Sequence, residues 1–443
     1  MTPDTTTSIL QDLGDGLVLR RTTPADAEKL SQFNAQIHGE NPQDAIAVAA
    51  WTRDLILGPH PTFRSDDCLI VENTQDGQIV SSVNLIDQVW SYEGITFPVG
   101  RPELVGTDPL YRNRGLVRKQ FEVIHQWAQE RGQMLQAITG IPFYYRQFGY
   151  EMGLALGGGV SGFEPQVPRL KEGEQEPYLI RTATEADIPW VQAMYTLECK
   201  HSMVSASWDE ALWRYEISGK SRENVNRWVP CVIEDQQGRP VGYVVHPGIC
   251  WGTSMVATRY QVAEDVSFAA VTPSVVRFLW KIGQEFCAVQ DKKLDSFGFS
   301  MGSDHPAYKV AGTVRQSPPY AFYIRVPDLP AFLWQLGPVL ESRLRESVYL
   351  GHTGELKISF YRDGLKLVFE KGRLAASEPW TPKIQKDEGS AAFPNLTFLQ
   401  LVFGYRSLEE IRYAYPDCWA NQDAALLLPV LFPKKISNVW AIS

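Results

Sequence analysis

Arg112 and Arg114 stand in the stretch LVGTDPLYRNRGLVRKQ, residues 104–120, where an apolar run stops and a helical pattern begins. The first amides of a helix are unpaired and carry partial positive charge, so two guanidinium groups beside them have the wrong sign unless an anion joins them. A phosphate placed there gains hydrogen bonds from the amides and the favourable dipole. Gly115 lets the backbone come close to it, and Arg112 and Arg114 add charge-assisted contacts. The stretch therefore reads as a diphosphate site, with a solvated basic helix end as the alternative. It is not a Walker loop, because no Gly-Lys-Ser/Thr is present, and no GxGxxG follows the first strand.

The elements that must position these residues form three segments. The first opens with LVLRRTTPADAEKLSQFNAQIHG, a short strand, a turn at Pro24 and Asp26, and an amphipathic helix. CLIVEN and IVSSVNLIDQVWSY are predicted to pair antiparallel across TQDGQ, and ELVGT is a third run ahead of the arginines. Leu116, Val117, Phe121, Ile124 and Trp127 recur at helical spacing until Gly132. A strand at MLQAIT and a short helical piece at FYYRQFGY, closed by Gly149, follow.

After the charged linker PQVPRLKEGEQEP the pattern repeats. YLIRTATEADIPWVQAMY parallels LVLRRTTPADAEKLSQFN, placing Arg181 and Asp187 opposite Arg20 and Asp26. The counterpart of the arginine stretch, VSFAAVTPSVVRFLWKIGQ, is expected to keep the strand and Pro273 but has neither the arginine pair nor the glycine. The counterpart of YYRQFGY is AYKVAGT. The second copy has lost the anion site. The third segment is expected to hold a helix at LPAFLWQLGPVLESRL, strands turning at Asp363-Gly364 and Lys371-Gly372, a loop at PWTPKIQKDEGSAAFPN and a second helix at FLQLVFGYRSLEEIRYAYP. The boundaries read as 1–164, a linker at 165–177, 178–326 and 327–443.

Composition narrows the function classes. The chain has 443 residues, 44% hydrophobic and 21% charged, with a formal net charge of -9, which argues against nucleic-acid binding and mildly favours cationic partners. The N-terminus lacks a leader pattern and the longest apolar stretch, AALLLPVLFP, is too short to span a bilayer. A cytoplasmic protein with no membrane partner is expected. Cys68, Cys199, Cys231, Cys250, Cys287 and Cys418 show no metal-ligand spacing, so buried free thiols and no metal are expected.

RNRGLV resembles the acyl-CoA pyrophosphate loop of the GNAT superfamily of N-acetyltransferases, Gln/Arg-x-x-Gly-x-Gly/Ala, with Val117 in the last place. With VGTDPLYRNRGLVR, YYRQFGY, the duplicated segment and the tail, nearly the whole chain resembles the Eis (enhanced intracellular survival) family. The resemblance implies an α/β chain: tandem GNAT folds, with mixed, mostly antiparallel sheets and flanking helices, then a sterol-carrier-protein-like α+β domain. It also implies acetyl-CoA as acyl donor. Val105, Gly106 and Thr107 would line the pantetheine arm, and Arg112, Asn113, Arg114, Gly115 and Leu116 would surround the pyrophosphate. A hexamer is implied as well.

Acetyl transfer to an amine needs a neutral nucleophile, an oxyanion donor and an acid for the leaving thiolate. Tyr145 matches the family's acid, five residues before Tyr150, with Tyr144 as its rival. A phenol near pKa ~10 facing a thiol near ~8.5 makes full transfer uphill by roughly 2 kcal/mol, so a strong hydrogen bond would do much of the work. In the family the amine's base is the chain's own terminal carboxylate, here that of Ser443, although the family tail ends in an aromatic residue. Trp51 resembles a pocket aromatic and could stack on a cationic acceptor, or anchor its helix in the core. The expected activity is acetyl-CoA-dependent N-acetylation of an aminoglycoside-like or polyamine-like small molecule. Protein lysine is the runner-up acceptor, and a lipid carrier with a vestigial GNAT part is the non-enzymatic rival.

Overall fold

A computed structural model describes residues 9–383, 387–394 and 396–440. The first unit runs β1 (Ile9–Gly14), β2 (Leu17–Arg21), α1 (Ala27–His38), α2 (Pro42–Leu57), β3 (Cys68–Asn73), β4 (Gln78–Tyr92), β5 (Ile95–Thr107), α3 (Leu116–Glu130), β6 (Leu135–Ile138), β7 (Glu151–Leu156) and β8 (Gly159–Phe163). Neighbours from β1 to β5 pair antiparallel, and β6 joins β5 in parallel through Val99–Leu135 and Gly100–Gln136 only. Leu116, Phe121, Ile124 and Trp127 form the buried face of α3, as their spacing predicts, and Gly132 at φ +65° stops the helix.

The second unit comprises β9 (Tyr178–Thr182), α4 (Ile188–Cys199), β10 (Val204–Ala206), α5 (Glu210–Arg214), β11 (Trp228–Asp235), β12 (Pro240–Pro247), β13 (Ser254–Ala257), β14 (Arg259–Val262), α6 (Phe268–Val289), β15 (Ser296–Phe299), β16 (Arg315–Ser317) and β17 (Tyr320–Arg325). The two units carry similar polar clasps. Arg20 binds Asp26 at 2.7 Å and also Glu72, while Arg181 binds Asp187 at 2.8 Å and Glu234 at 2.8 Å. The expected strand at VSFAAV is a correction: α6 begins at Phe268, because Ala269 and Ala270 favour a helix that Pro273 interrupts by only one hydrogen bond.

The two units exchange strands. β17 enters the first sheet between β6 and β7, antiparallel to both, whereas β8 leaves it to pair with β15 and β16. β10 also pairs with the far end of β4. Division into 1–164 and 178–326 follows chain order, and the hydrogen bonding crosses it.

In the third segment, strands Gly354–Ser359, Gly364–Glu370 and Arg373–Trp380 turn where predicted, and Ala391–Ala392 and Trp419–Ala420 complete a five-stranded sheet. Both expected helices are broken. The first splits into Leu329–Gln335 and Gly337–Arg345, where Pro338 restarts it, and the second splits into Phe398–Val402 and Leu408–Ala414 around Gly404 at φ +62°. A third helix, Gln422–Leu431, takes up the apolar AALLLPVL run. This lobe is docked on the first sheet through the Tyr92 hydroxyl, which donates to the Val402 carbonyl at 2.7 Å. No described helix is long and apolar enough to cross a membrane.

Candidate active site

The cavity begins where the sheet splays. Opposite Val83, β5 carries an extra residue, because Ser82 faces Gly106 while Asn84 faces Glu103, and Leu104 takes φ +51° to absorb it. Beyond Gly100 no strand among the described residues pairs with the outer edge of β5, and β6 diverges and leaves a cleft. Buried side chains hold the cleft open. Gln120 on α3 accepts from Ser81 at 2.7 Å, Ser82 donates to Asn34 at 2.9 Å, and Asn34 donates to Thr52 at 3.2 Å, tying α3, α1 and α2 to β4. The cavity occupies about 780 Å³. Tyr145, Trp51, Val105, Gly106, Thr107, Arg112, Asn113, Arg114, Gly115 and Leu116 all line it.

At its outer end Lys119 N donates to Gly115 O at 3.1 Å, leaving the amides of Leu116, Val117 and Arg118 as the ones without intrahelical acceptors. Gly115 sits at φ +76° and a side chain there would meet nothing within 4 Å, so the space before the helix is open. Asn113 also turns through positive φ, at 63°. Arg112 and Arg114 are exposed, and neither forms an ion pair among the described residues; Arg114 lies 5.0 Å from the centre of the Tyr111 ring. Uncompensated arginines around open amides fit the diphosphate of a coenzyme A ester.

Tyr145 lies in a short 3-10 turn, Tyr144–Phe148, its ring packed 5.9 Å from Phe121 and 5.5 Å from Tyr323. Tyr323 belongs to β17, so the exchanged strand backs the candidate acid. The Tyr145 hydroxyl has no hydrogen-bond partner among the described residues, and burial first, then the Glu103 carboxylate, push its pKa well above that of an ordinary phenol. It stays protonated, a donor rather than a strong acid. The repeat read in the sequence supplies an internal comparison. Tyr308, its counterpart in AYKVAGT, accepts from Met301 N at 2.9 Å and donates to Gly302 O at 3.0 Å. The second copy has a hydroxyl satisfied by the fold; the first has one left for a ligand. Tyr144 also lines the cavity, but half-buried, its pKa raised by burial against the pull of Arg118.

The inner end is built by α1, α2 and the bulge. Ile37 and His38 close over Gly106, where a β-carbon would lie 2.8 Å from Ile37 Cγ2 and 3.2 Å from His38 Nε2, so only glycine admits this approach. Burial lowers the His38 pKa and keeps the imidazole neutral. Trp51 is buried beside Val48 and Leu104, so it is both core anchor and cavity wall. Glu103, which sequence reasoning did not single out, is the only carboxylate among the described lining residues. Arg101 binds its Oε1 through Nε at 2.7 Å and Nη2 at 2.5 Å, leaving Oε2 for another partner. The available signal was a charged pair, Arg101 and Glu103, inside an otherwise apolar strand. Ser443 lies outside the described residues. The described chain ends at Trp440, stacked on Trp208 with centroids 4.4 Å apart. The cysteines are free, and no group of His, Cys, Asp and Glu among the described residues could hold a metal.

Residues 19–153 match the family model of the Acetyltransferase (GNAT) domain. The first unit is thus an acyl-CoA-dependent acetyltransferase domain, and its open cationic end fits that cosubstrate. Solved structures extend the likeness of fold over 96% of the chain. A probable N-acyltransferase from Enterococcus faecalis V583 (14% identity, TM-score 0.64) and a GCN5-related N-acetyltransferase from Kribbella flavida (16%, 0.64) are each covered over 100% of their length. Eis1 from Mycobacterium abscessus is covered over 99% at 12% identity, with a TM-score of 0.57. No curated protein sequence matches the chain.

Proposed function

We propose that the protein transfers the acetyl group of acetyl-CoA to a primary amine of a cationic small molecule, at one site per chain in the first unit. The observation that carries this reading is the Tyr145 hydroxyl, unpartnered among the described residues in a cavity whose other end presents free helix amides and unpaired arginines. Bound acetyl-CoA supplies the thioester and a thiolate leaving group. Arg112, Arg114 and the amides of α3 hold the diphosphate, and the open edge of β5 from Val105 to Thr107 receives the extended arm. Glu103 Oε2 gathers the acceptor ammonium and passes its proton toward solvent. As the N–C bond forms and the C–S bond breaks, Tyr145 donates a hydrogen bond to the departing thiolate, and the second proton lost by the acylated nitrogen passes to that sulfur, directly or through solvent, so that it ends as a thiol.

An alkylammonium near pKa ~10.4 is neutral about once in 10³ to 10⁴ at neutral pH, so a carboxylate at the amine is needed. Glu103 meets that need within the described residues, where the resemblance pointed to Ser443. The same open anion end and unpartnered hydroxyl weigh against a vestigial domain carrying lipid. Incubation with acetyl-CoA and an amine panel, read by mass spectrometry for a gain of one acetyl group with release of free thiol, tests the reading. Acetyl-CoA binding without acetylation of any amine would refute it. A hexamer is proposed on the resemblance alone and is checked by light scattering.

A further inference from the structure

The inner end of the cavity differs in charge and chemistry from what a polycation requires. A molecule with several ammonium groups needs a carboxylate or carbonyl cluster for each group it desolvates, since a buried cation without a partner is costly. Among the described lining residues, Glu103 is the sole carboxylate, and half of it is already taken by the buried Arg101. The pair is neutral overall. His38 adds no charge, because burial holds its imidazole neutral. The charged side chains remaining among the described lining residues are Arg112, Arg114 and Arg118, all of one sign and all repelling a second ammonium until coenzyme phosphates offset them.

The remaining inner wall is mostly apolar, its buried polar side-chain atoms being Trp51 Nε1 and His38 Nε2, both unpartnered among the described residues. Ile37, Val48, Trp51 and Leu104 converge there from α1, α2 and the bulge of β5 and belong to one packed cluster. The wall is also firmly set. Asp54, one turn beyond Trp51 on α2, accepts from Ser221 N at 2.9 Å, Ser221 Oγ at 2.9 Å and Asn224 Nδ2 at 2.6 Å, and Val225 N donates to Ala47 O at 3.2 Å. The second unit thereby braces the helix that presents Val48 and Trp51. A rigid, apolar, aromatic-bearing wall beside a single half-free carboxylate is the arrangement a ring-bearing body with one amine would fill.

We infer that the acceptor is a monoamine, a single primary ammonium on an apolar, ring-bearing body, and not a polyamine or an aminoglycoside. The inference rests on the acetyltransferase reading above and narrows its substrate class. In the acceptor complex Glu103 Oε2 holds the ammonium and the ring lies against Trp51.

The test uses the full chain and three probes: 2-phenylethylamine, spermidine and kanamycin. Calorimetry without acetyl-CoA measures binding, and thiol release with product mass measures kcat/KM. Expected are tighter binding and at least a tenfold higher kcat/KM for 2-phenylethylamine than for either polycation, at low and at physiological salt. Trp51→Ala should reduce kcat/KM for 2-phenylethylamine by more than it does for n-propylamine. Preferential binding and acetylation of spermidine or kanamycin overturns the inference while leaving the acetyltransferase reading intact. Binding of acetyl-CoA with acetylation of no amine overturns both, and equal treatment of all three amines overturns the inference alone.

Discussion

Substituting Tyr145 and Tyr308 by phenylalanine should give opposite results, because the two tyrosines align between YYRQFGY and AYKVAGT and, among the described residues, only the Tyr308 hydroxyl is hydrogen-bonded. Tyr308→Phe removes the acceptor of Met301 N–H and the donor to Gly302 O, leaving two sheltered backbone groups unpaired. At about 1 kcal/mol or more for each orphaned group, stability should fall by roughly 2 kcal/mol, or several degrees in Tm. Tyr145→Phe breaks no hydrogen bond among the described residues and keeps the ring against Phe121 and Tyr323, so Tm should move little. Its kcat should fall by about 10², equivalent to about 2.7 kcal/mol of transition-state stabilisation, with acetyl-CoA affinity unchanged. Thermal melts, calorimetry of acetyl-CoA and steady-state kinetics on both variants read this directly. Wild-type kcat in Tyr145→Phe would refute the assignment, and a large loss in Tyr144→Phe instead would move the acid by one residue.

Arg112→Ala with Arg114→Ala should weaken acetyl-CoA binding at least tenfold and flatten its salt dependence, without a change in Tm, because neither guanidinium is ion-paired among the described residues; calorimetry reads both and should return one site per chain. Glu103→Gln should lower kcat/KM for the amine about 10²-fold while sparing acetyl-CoA affinity, and the loss should shrink as pH approaches the amine's own pKa. Stability should fall on acidification. Burial, aided by Lys220, lowers the His60 pKa to about 3, and burial, aided by Arg227, lowers that of His246 to about 4. Both stay neutral in the folded chain while the unfolded chain protonates near ~6.5, so this contribution is intact above that pH and is lost as pH falls toward the folded values. The two together amount to about 3 kcal/mol near about pH 5.5, to be checked by urea midpoints against pH.

What could be read in the sequence was local. The arginine loop with the glycine at the start of α3, and Tyr145 with Tyr150, are each motifs only a few residues long, and Arg181 and Asp187 suggest the repeat by spacing alone. What could not be read depends on which strand lies beside which. GVSGF and YAFYIR are plausible edge strands of either unit, and nothing in their alternation says that β8 and β17 trade sheets. Glu103 and His38 were missed for the same reason. Glu103 reaches the cavity only through the extra residue at Leu104, and His38 only because Gly106 lets the end of α1 descend onto β5. The broken helices around Leu336 and Gly404 show local breakers, Pro338 and a glycine at positive φ, overriding an apolar periodicity that continues across each break.

The repeat read in the sequence separates residues that build the fold from those placed for a ligand. Both copies keep the arginine–aspartate–glutamate clasp, so the clasp belongs to folding. At the positions that open the first cavity the second copy closes on itself. Phe268 begins α6 where Leu116 begins α3, Tyr260 lies on β14, and the two rings pack 5.3 Å apart, with His305 5.4 Å from Phe268 and 5.7 Å from Tyr308. Yet the closed copy is not a passenger. It lends β17, and with it Tyr323, to the back of Tyr145, and it braces α2 through Asp54. Loss of its own site is compatible with this role, because a filled, rigid second unit fixes the acid and the acceptor wall of the first more firmly than an open one would.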